Sequence, residues 1–329
     1  MAGLTVQQLA DFDRDGYLVV DGVLDEGDLQ AIRAEYHEIM ERECANLVAA
    51  GHLGPLEGRS FSERYIEAMQ QLDDMYLLYQ HLDISLPMLE TLEPTATMNA
   101  GEAVFGLLTH PRLLDIAESV IGPEIYSNPV QHARIKPPRK HLPAAATDAN
   151  VSATLWHQDA AVIEPSGDDT DMLTVWLAIT DATIENGCLI AVPGSHRGKA
   201  TLHCPGKVFQ SEIYIPEAIL DMGNVVPLEV KAGGMVLLNK MTEHGSLENN
   251  TDDIRWSFDL RYQPIGQPTG RDVFPGFIAR SASNPGSALT DAKEWAELWW
   301  AARDRILAGE VENKFGGRWN HNAAQPVCA

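Results

Sequence analysis

Apolar positions along this chain follow a helical period first and a strand-like one later. Over residues 5–14, Val6, Leu9 and Phe12 recur at helical spacing, and Gly16 stands where that helix should stop. Tyr17-Leu18-Val19-Val20 is a short β-rich run bounded by Gly16 and Asp21-Gly22, which predicts a buried strand. Asp25 is placed to cap a helix beginning near Glu26, with Leu29, Ile32, Tyr36 and Met40 on one face. Further helices are predicted over 62–80 and 110–120, the latter carrying Leu113, Leu114 and Ile116 and ending at Ile121-Gly122-Pro123.

From about 124 to 265 the texture changes. Short β-rich runs fall at 125–135, 153–156, 172–180, 187–192, 225–230, 234–238 and 254–262. Pro137-Pro138, Glu185-Asn186-Gly187, Pro193-Gly194-Ser195, Gly233-Gly234 and Asn249-Asn250 punctuate them as turns. Many short strands separated this way predict an antiparallel barrel or jelly roll. Two long stretches, 137–152 and 195–224, interrupt the strands and read as loops over a site. After 265 the chain reads as loop until a helix near 290–308, whose Trp295, Leu298, Trp299, Ala302 and Ile306 suit core packing or a dimer contact. The expected organisation is one catalytic domain over 1–329. It comprises a mostly helical part with one strand (1–123), a β core (124–265) and a C-terminal extension with a helix (266–329).

Charge narrows the range of partners. With 24 basic and 47 acidic residues the net charge is -23, which disfavours nucleic acid and anionic membranes. The remaining partner is a small molecule; monomer and homodimer both stay open. The four cysteines, Cys44, Cys188, Cys204 and Cys328, are scattered without a C-x-x-C pair, so neither a disulfide framework nor a structural zinc site is expected. No apolar run approaches a membrane span and no secretory leader is visible, so the expected compartment is a reducing cytoplasm.

Leu155-Trp156-His157-Gln158-Asp159 carries the strongest chemical signal. In an extended segment His157 and Asp159 project to one face, as two adjacent ligands for a divalent metal. Alone, such a pair fits a structural His–Asp hydrogen bond better than a metal site. Thr242-Glu243-His244-Gly245 adds a second histidine 85 positions after Asp159, completing two imidazoles and a carboxylate. That set suits Fe(II) with open coordination positions better than calcium or magnesium. Arg255 follows His244 by 11 positions, beyond the Asn249-Asn250 turn, which would set the two on neighbouring strands. Its guanidinium suits the far carboxylate of a diacid, and Ser257, on the same face, adds a hydroxyl.

On these residues the chain resembles the phytanoyl-CoA dioxygenase (PhyH) family. Phe12-x-x-x-Gly16-Tyr17-Leu18-Val19-Val20, His157-x-Asp159, His244 and Arg255 carry the likeness, as do Thr174-Val175-Trp176-Leu177-Ala178 and Asn186-Gly187-Cys188-Leu189 before Pro193-Gly194-Ser195-His196. The resemblance implies a double-stranded β-helix core and a 2-oxoglutarate-dependent Fe(II) dioxygenase that uses O2. His157, Asp159 and His244 would then be catalytic metal ligands, with Arg255, Ser257 and Trp176 around 2-oxoglutarate. It implies hydroxylation of an unactivated C–H, with succinate and CO2 as co-products. Asp159 favours that outcome, because related halogenases carry a small residue in its place. Demethylation, desaturation, cyclisation or epimerisation at the same site is the alternative, and a non-catalytic metal-binding jelly-roll sensor a more distant one. Gln131, His132, Arg134 and His203 are candidate substrate residues. The cluster Arg134, Lys136, Arg139, Lys140 and His141 could meet an anionic substrate such as a CoA thioester, or form a solvated loop.

Overall fold

Local capping sets the N-terminal elements in the computed structural model, which describes residues 3–87, 92–142, 151–206, 213–312 and 317–328. Helix α1 (Val6–Asp15) starts at Thr5, whose hydroxyl accepts the Gln8 N–H while the Gln8 side chain returns to the Thr5 N–H. It stops at Gly16, at φ +79°, where a Cβ would lie 2.3 Å from His196 Nδ1 and 2.6 Å from Thr242 Oγ1. Strand β1 (Tyr17–Val20) follows, then α2 (Glu26–Ala49), capped by the Asp25 carboxylate and burying Leu29, Ile32, Tyr36 and Met40. The helix predicted over 62–80 is two, α3 (Phe61–Gln71) and α4 (Tyr76–Tyr79), because Leu72 turns extended at the end of α3 and Asp74 accepts the Tyr76 N–H at 2.9 Å. Helices α5 (Glu102–Leu108) and α6 (Pro111–Ile121) complete this part.

The strands are β2 (Glu124–Ser127), β3 (His132–Lys136), β4 (Leu173–Ala178), β5 (Leu189–Ala191), β6 (Cys204–Pro205), β7 (Ile213–Tyr214), β8 (Val226–Leu228), β9 (Met235–Asn239), β10 (His244–Ser246), β11 (Arg255–Pro264) and β12 (Phe277–Ser281); α7 (Ala292–Leu307) follows. A large antiparallel sheet runs β1-β9-β4-β11-β2-β12, with β3 also on β11. A small sheet runs β10-β5-β8, widened by a bridge between His157 and His244, and β6 and β7 form a separate pair. Alternation along the large sheet divides the core. Val175, Leu177, Leu237, Phe258 and Leu260 pack outward against the helices, while Trp176, Ala178, Val236 and Leu238 pack inward on Cys188, Leu189, Ala191 and Leu228. The result is a double-stranded β-helix with helices on its outer face.

Several expectations change. The run 125–135 is two strands because the Asn128 side chain bonds Gln263 and Thr269 and accepts the Val130 N–H, turning the chain between β2 and β3. The run 153–156 is not a strand of its own but an edge beside β10, where Thr154 exchanges bonds with Ser246. β12 occupies part of the stretch read as loop after 265. Trp295 and Trp299 are buried and neighbour Phe105 and Phe274, so the α7 tryptophans are core packing. Half of the loop 137–152, residues 143–150, lies outside the described residues. Among the described residues no helix is long and apolar enough to cross a membrane.

The cysteines require a correction. Cys204 and Cys328 form a disulfide, Cα atoms 5.5 Å apart, across a separation of 124 residues. The chain's end returns to β6, a long-range approach that spacing along the sequence does not reveal. Cys44 and Cys188 are free and buried.

Candidate active site

His157 and His244 are brought together by backbone pairing. Each donates its N–H to the other's carbonyl, at 2.8 and 2.9 Å, and their rings sit 4.3 Å apart between centroids. Each Nδ1 bonds a carbonyl two residues upstream, Leu155 at 2.8 Å and Thr242 at 2.9 Å. Those bonds fix the rings so that each Nε2 lone pair is left for a metal. Asp159 opens a short 3-10 turn (Asp159–Val162), with its Oδ1 3.7 Å from His157 Nε2. One ligand atom from each of His157, Asp159 and His244 lies within 4.8 Å of the others, and all three residues are buried.

Asp159 is anchored on both oxygens. Thr174 of β4 donates to one and Arg261 of β11 to the other, and Arg261 also donates to Val130 O at 2.8 Å. Burial alone would raise the Asp159 pKa; Arg261, His244 and His157 outweigh it and hold the carboxyl well below its usual range. Burial, reinforced by His244, pushes His157 down to about 3, so the imidazole is neutral and able to ligate. A neutral His157, an ionised Asp159 and the free Nε2 edge of His244 fit Fe(II) with coordination positions to spare.

Arg255 approaches from the opposite sheet. The sequence suggested that it neighbours the His244 strand; instead β10 pairs with β5, whereas β11 pairs with β2, β3 and β4. Arg255 and Ser257 share the inner face of β11, and the guanidinium donates to Ser257 Oγ at 2.7 Å. Its Cζ lies 5.1 Å from the centre of the Trp176 ring. The side chain is buried, its Nε lacks a partner, and no carboxylate pairs with it among the described residues. Burial, with Arg134 adding, pushes it down to about 9. A buried cation with an unused N–H fits an anionic ligand. Lys136, opposite Arg255 in register, donates to Ser246 Oγ at 2.7 Å and ties the two sheets.

The other candidates are placed unevenly. Arg134 and His132 share the inner face of β3, where Arg134 Nε meets Asp259 at 2.5 Å and His132 meets Asp83 at 2.9 Å. Gln131 is buried and donates to Ile84 O at 2.8 Å. His203 is fully buried beneath the His157–Asp159 segment, its Nε2 accepting the Gln158 N–H at 3.1 Å. His196 Nε2 bonds Asp13 O at 3.1 Å and holds its turn against α1. Arg261, Thr174, Asp259 and Ser246 were missed as site residues, and Lys136 was read only as part of a basic cluster. The signal for Asp259 and Arg261 was the period-two polar row on β11, Arg255-x-Ser257-x-Asp259-x-Arg261, which faces β4 and β3.

Residues 12–257 match the family model described as Phytanoyl-CoA dioxygenase (PhyH). The chain belongs to the PhyH family. Among PhyH relatives, phytanoyl-CoA dioxygenase domain-containing protein 1 of Danio rerio is 26% identical over 276 residues, spanning 77% of this chain and 87% of that protein. The peroxisomal phytanoyl-CoA dioxygenase of Homo sapiens is 22% identical over 273 residues, spanning 79% and 68%. Among solved structures the apo non-heme monooxygenase ThoJ superposes with a TM-score of 0.57 at 19% identity, covering 93% of this chain and 99% of that one. EvdO2 from Micromonospora carbonacea var. aurantiaca gives 0.52 at 21%, covering 80% and 93%. These structures share the fold. As a PhyH protein, this one is an oxygenase of the Fe(II)- and 2-oxoglutarate-dependent class.

Proposed function

We propose that this PhyH protein hydroxylates an unactivated C–H of a small polar metabolite. His157, Asp159 and His244 hold Fe(II), and Arg255, Ser257 and Trp176 hold 2-oxoglutarate. One observation carries the reading: a buried His-Asp-His triad is accompanied, on the other sheet, by a buried arginine that makes no direct ion pair with a carboxylate among the described residues. Iron, 2-oxoglutarate and O2 together supply the oxidising power, and succinate and CO2 leave as co-products. The chain's own part is geometric and electrostatic. Arg255 fixes the far carboxylate, the Trp176 face flanks the guanidinium, and the apolar residues between the sheets exclude water.

Polarity of the inner wall supports a polar substrate over an acyl chain. His132, Arg134 and Asp259 line the inner face beside Trp176, and Asp259 Oδ1 is buried without a hydrogen-bond partner. A hydroxyl or ammonium on the substrate would satisfy it. The basic cluster considered for a CoA ester is engaged internally: Arg134 with Asp259, Lys136 with Ser246, Arg139 with Glu248, Lys140 with Asp252 and His141 with Gln70. Demethylation, desaturation and cyclisation begin with the same C–H cleavage, and product analysis separates them. The proposed compartment is the cytoplasm.

The test is anaerobic titration of Fe(II) and 2-oxoglutarate, watched for the weak visible charge-transfer band of the chelate, beside succinate release in air. The band and slow succinate formation are expected. Folded protein that gives neither is not an oxygenase of this design.

A further inference from the structure

The segment between the ligands His157 and Asp159 is held from beneath by residues distant in sequence. Gln158, the single residue separating them, gives its N–H to His203 Nε2 at 3.1 Å. Its side chain donates to Met241 O at 2.7 Å and accepts the Thr201 N–H at 2.8 Å. His203 Nδ1 bonds Thr201 O at 2.7 Å, which leaves Nε2 as the acceptor. His203 therefore fixes the backbone at the point that sets the His157–Asp159 spacing.

His203 is in turn held by the C-terminal segment. The Trp319 ring lies against it, with centroids 5.0 Å apart, and Asn322 donates to its carbonyl at 2.8 Å. The same segment reaches the turn that begins at Asp159. Trp319 Nε1 donates to Ala161 O at 3.0 Å, and Arg318 donates to Ala160 O at 3.1 Å and Ile163 O at 2.8 Å. Arg318 also pairs with Asp168 at 2.7 Å. Cys204, next to His203, is bonded to Cys328 at the far end of the segment. Donors from residues 318–322 thus serve carbonyls on the metal-binding turn and on His203, and one covalent bond closes the loop.

We infer that His203 is a positioning residue of the metal centre, held by a C-terminal clasp (residues 317–328) that the Cys204–Cys328 disulfide locks. The inference rests on the reading of His157 and Asp159 as metal ligands. Reduction by a dithiol breaks the S–S bond. Two electrons and two protons pass to Cys204 and Cys328 as thiols, and the reductant becomes a disulfide. The clasp is then held by hydrogen bonds and stacking alone. Opening it removes donors from Ala160, Ala161, Ile163 and His203, and the ligand spacing loosens. In a compartment that keeps thiols reduced, metal retention would track the redox state of this pair.

The test measures Co(II) affinity of the full-length protein by anaerobic competition with a chromogenic chelator. Oxidised protein is compared with protein reduced by a dithiol and desalted, and with the variants Cys328→Ser and His203→Phe. Loss of such supporting contacts costs about 10- to 100-fold in metal affinity. The expected result is Co(II) binding weaker by about tenfold or more in the reduced protein and both variants. The Co(II) ligand-field spectrum should change while far-UV circular dichroism does not. If Cys328→Ser fails to fold, the reduced wild type carries the comparison. Equal Co(II) affinity in oxidised and reduced protein, or no gain in titratable thiols on reduction, overturns the clasp. Oxidised protein that binds no Co(II) overturns the metal-site reading, and the clasp with it.

Discussion

The guanidinium of Arg255 stands 5.1 Å from the centre of the Trp176 indole and donates to Ser257 at 2.7 Å. The ring stabilises the cation without neutralising it, so the charge stays available to an incoming carboxylate. Arg255→Ala should raise the 2-oxoglutarate dissociation constant by about 10- to 100-fold, the worth of a charge-assisted hydrogen bond of about 1.5–3 kcal/mol. Trp176→Ala should have a smaller effect, about 3- to 30-fold, since a cation–π contact contributes about 0.5–2 kcal/mol. Titration of the Fe(II) chelate band measures both. A wild-type constant in Arg255→Ala would move the co-substrate pocket elsewhere.

Removing a ligand should look different from removing the co-substrate clamp. His157→Ala and His244→Ala are expected to lose iron in chelator competition and to abolish turnover, because two of three protein ligands hold it poorly. Arg255→Ala should retain iron. Iron retention by His157→Ala at the wild-type level contradicts the ligand set.

Arg261 offers a separate test of Asp159. Its side chain and the carboxylate are both buried, so Arg261→Met leaves the charge uncompensated and should destabilise the metal-free protein by about 3–5 kcal/mol. A bound divalent cation supplies the missing positive charge. The variant should therefore gain more melting temperature from Co(II) than wild type does; equal gains would separate Arg261 from the metal site.

Burial holds His157 down to about 3 and His203 down to about 4. Both are neutral when folded, whereas in the unfolded chain they protonate near the ordinary value of about 6.5. Their contribution is fully present above that value and lost as pH falls from about 6.5 towards those folded values. Each group should lower the stability of the metal-free protein by up to about 1.4 kcal/mol per pH unit in that window. Urea unfolding from pH 7 to 5 measures the slope, and His203→Phe should make it shallower. An unchanged slope in His203→Phe would show that this histidine is protonated in the folded state.

How much was readable in the sequence follows the range of the interaction. Gly16 and Asp25 act within a few residues, and the stop and the cap they predict are present. Strand identity along 172–180 and 254–262 was legible because alternation and β-branching are local. Partnership between strands was not. Asn249-Asn250 looked like a hairpin turn joining the His244 and Arg255 strands, yet it carries the chain from one sheet to the other. The ligand types stood out because two histidines, an acid and an arginine match a known pattern. Arg261 and Thr174 did not, since their role depends on the register of β11 with β4, which pairs Arg261 with Thr174. The Cys204–Cys328 bond is the extreme case, with 124 residues between its ends.

Of the proposed ligands, His157 and His244 sit on the small sheet and its edge and Asp159 in the turn that follows, whereas Arg255 sits on the large sheet. On the proposed reading, 2-oxoglutarate spans the gap as a temporary crossbar, with one end on the iron and the other on β11. Each turnover would shorten it by one carbon, so that succinate would no longer reach both Arg255 and the ligand residues with the same grip. Product release would then be coupled to a momentary slackening between the sheets, renewed when the next diacid enters.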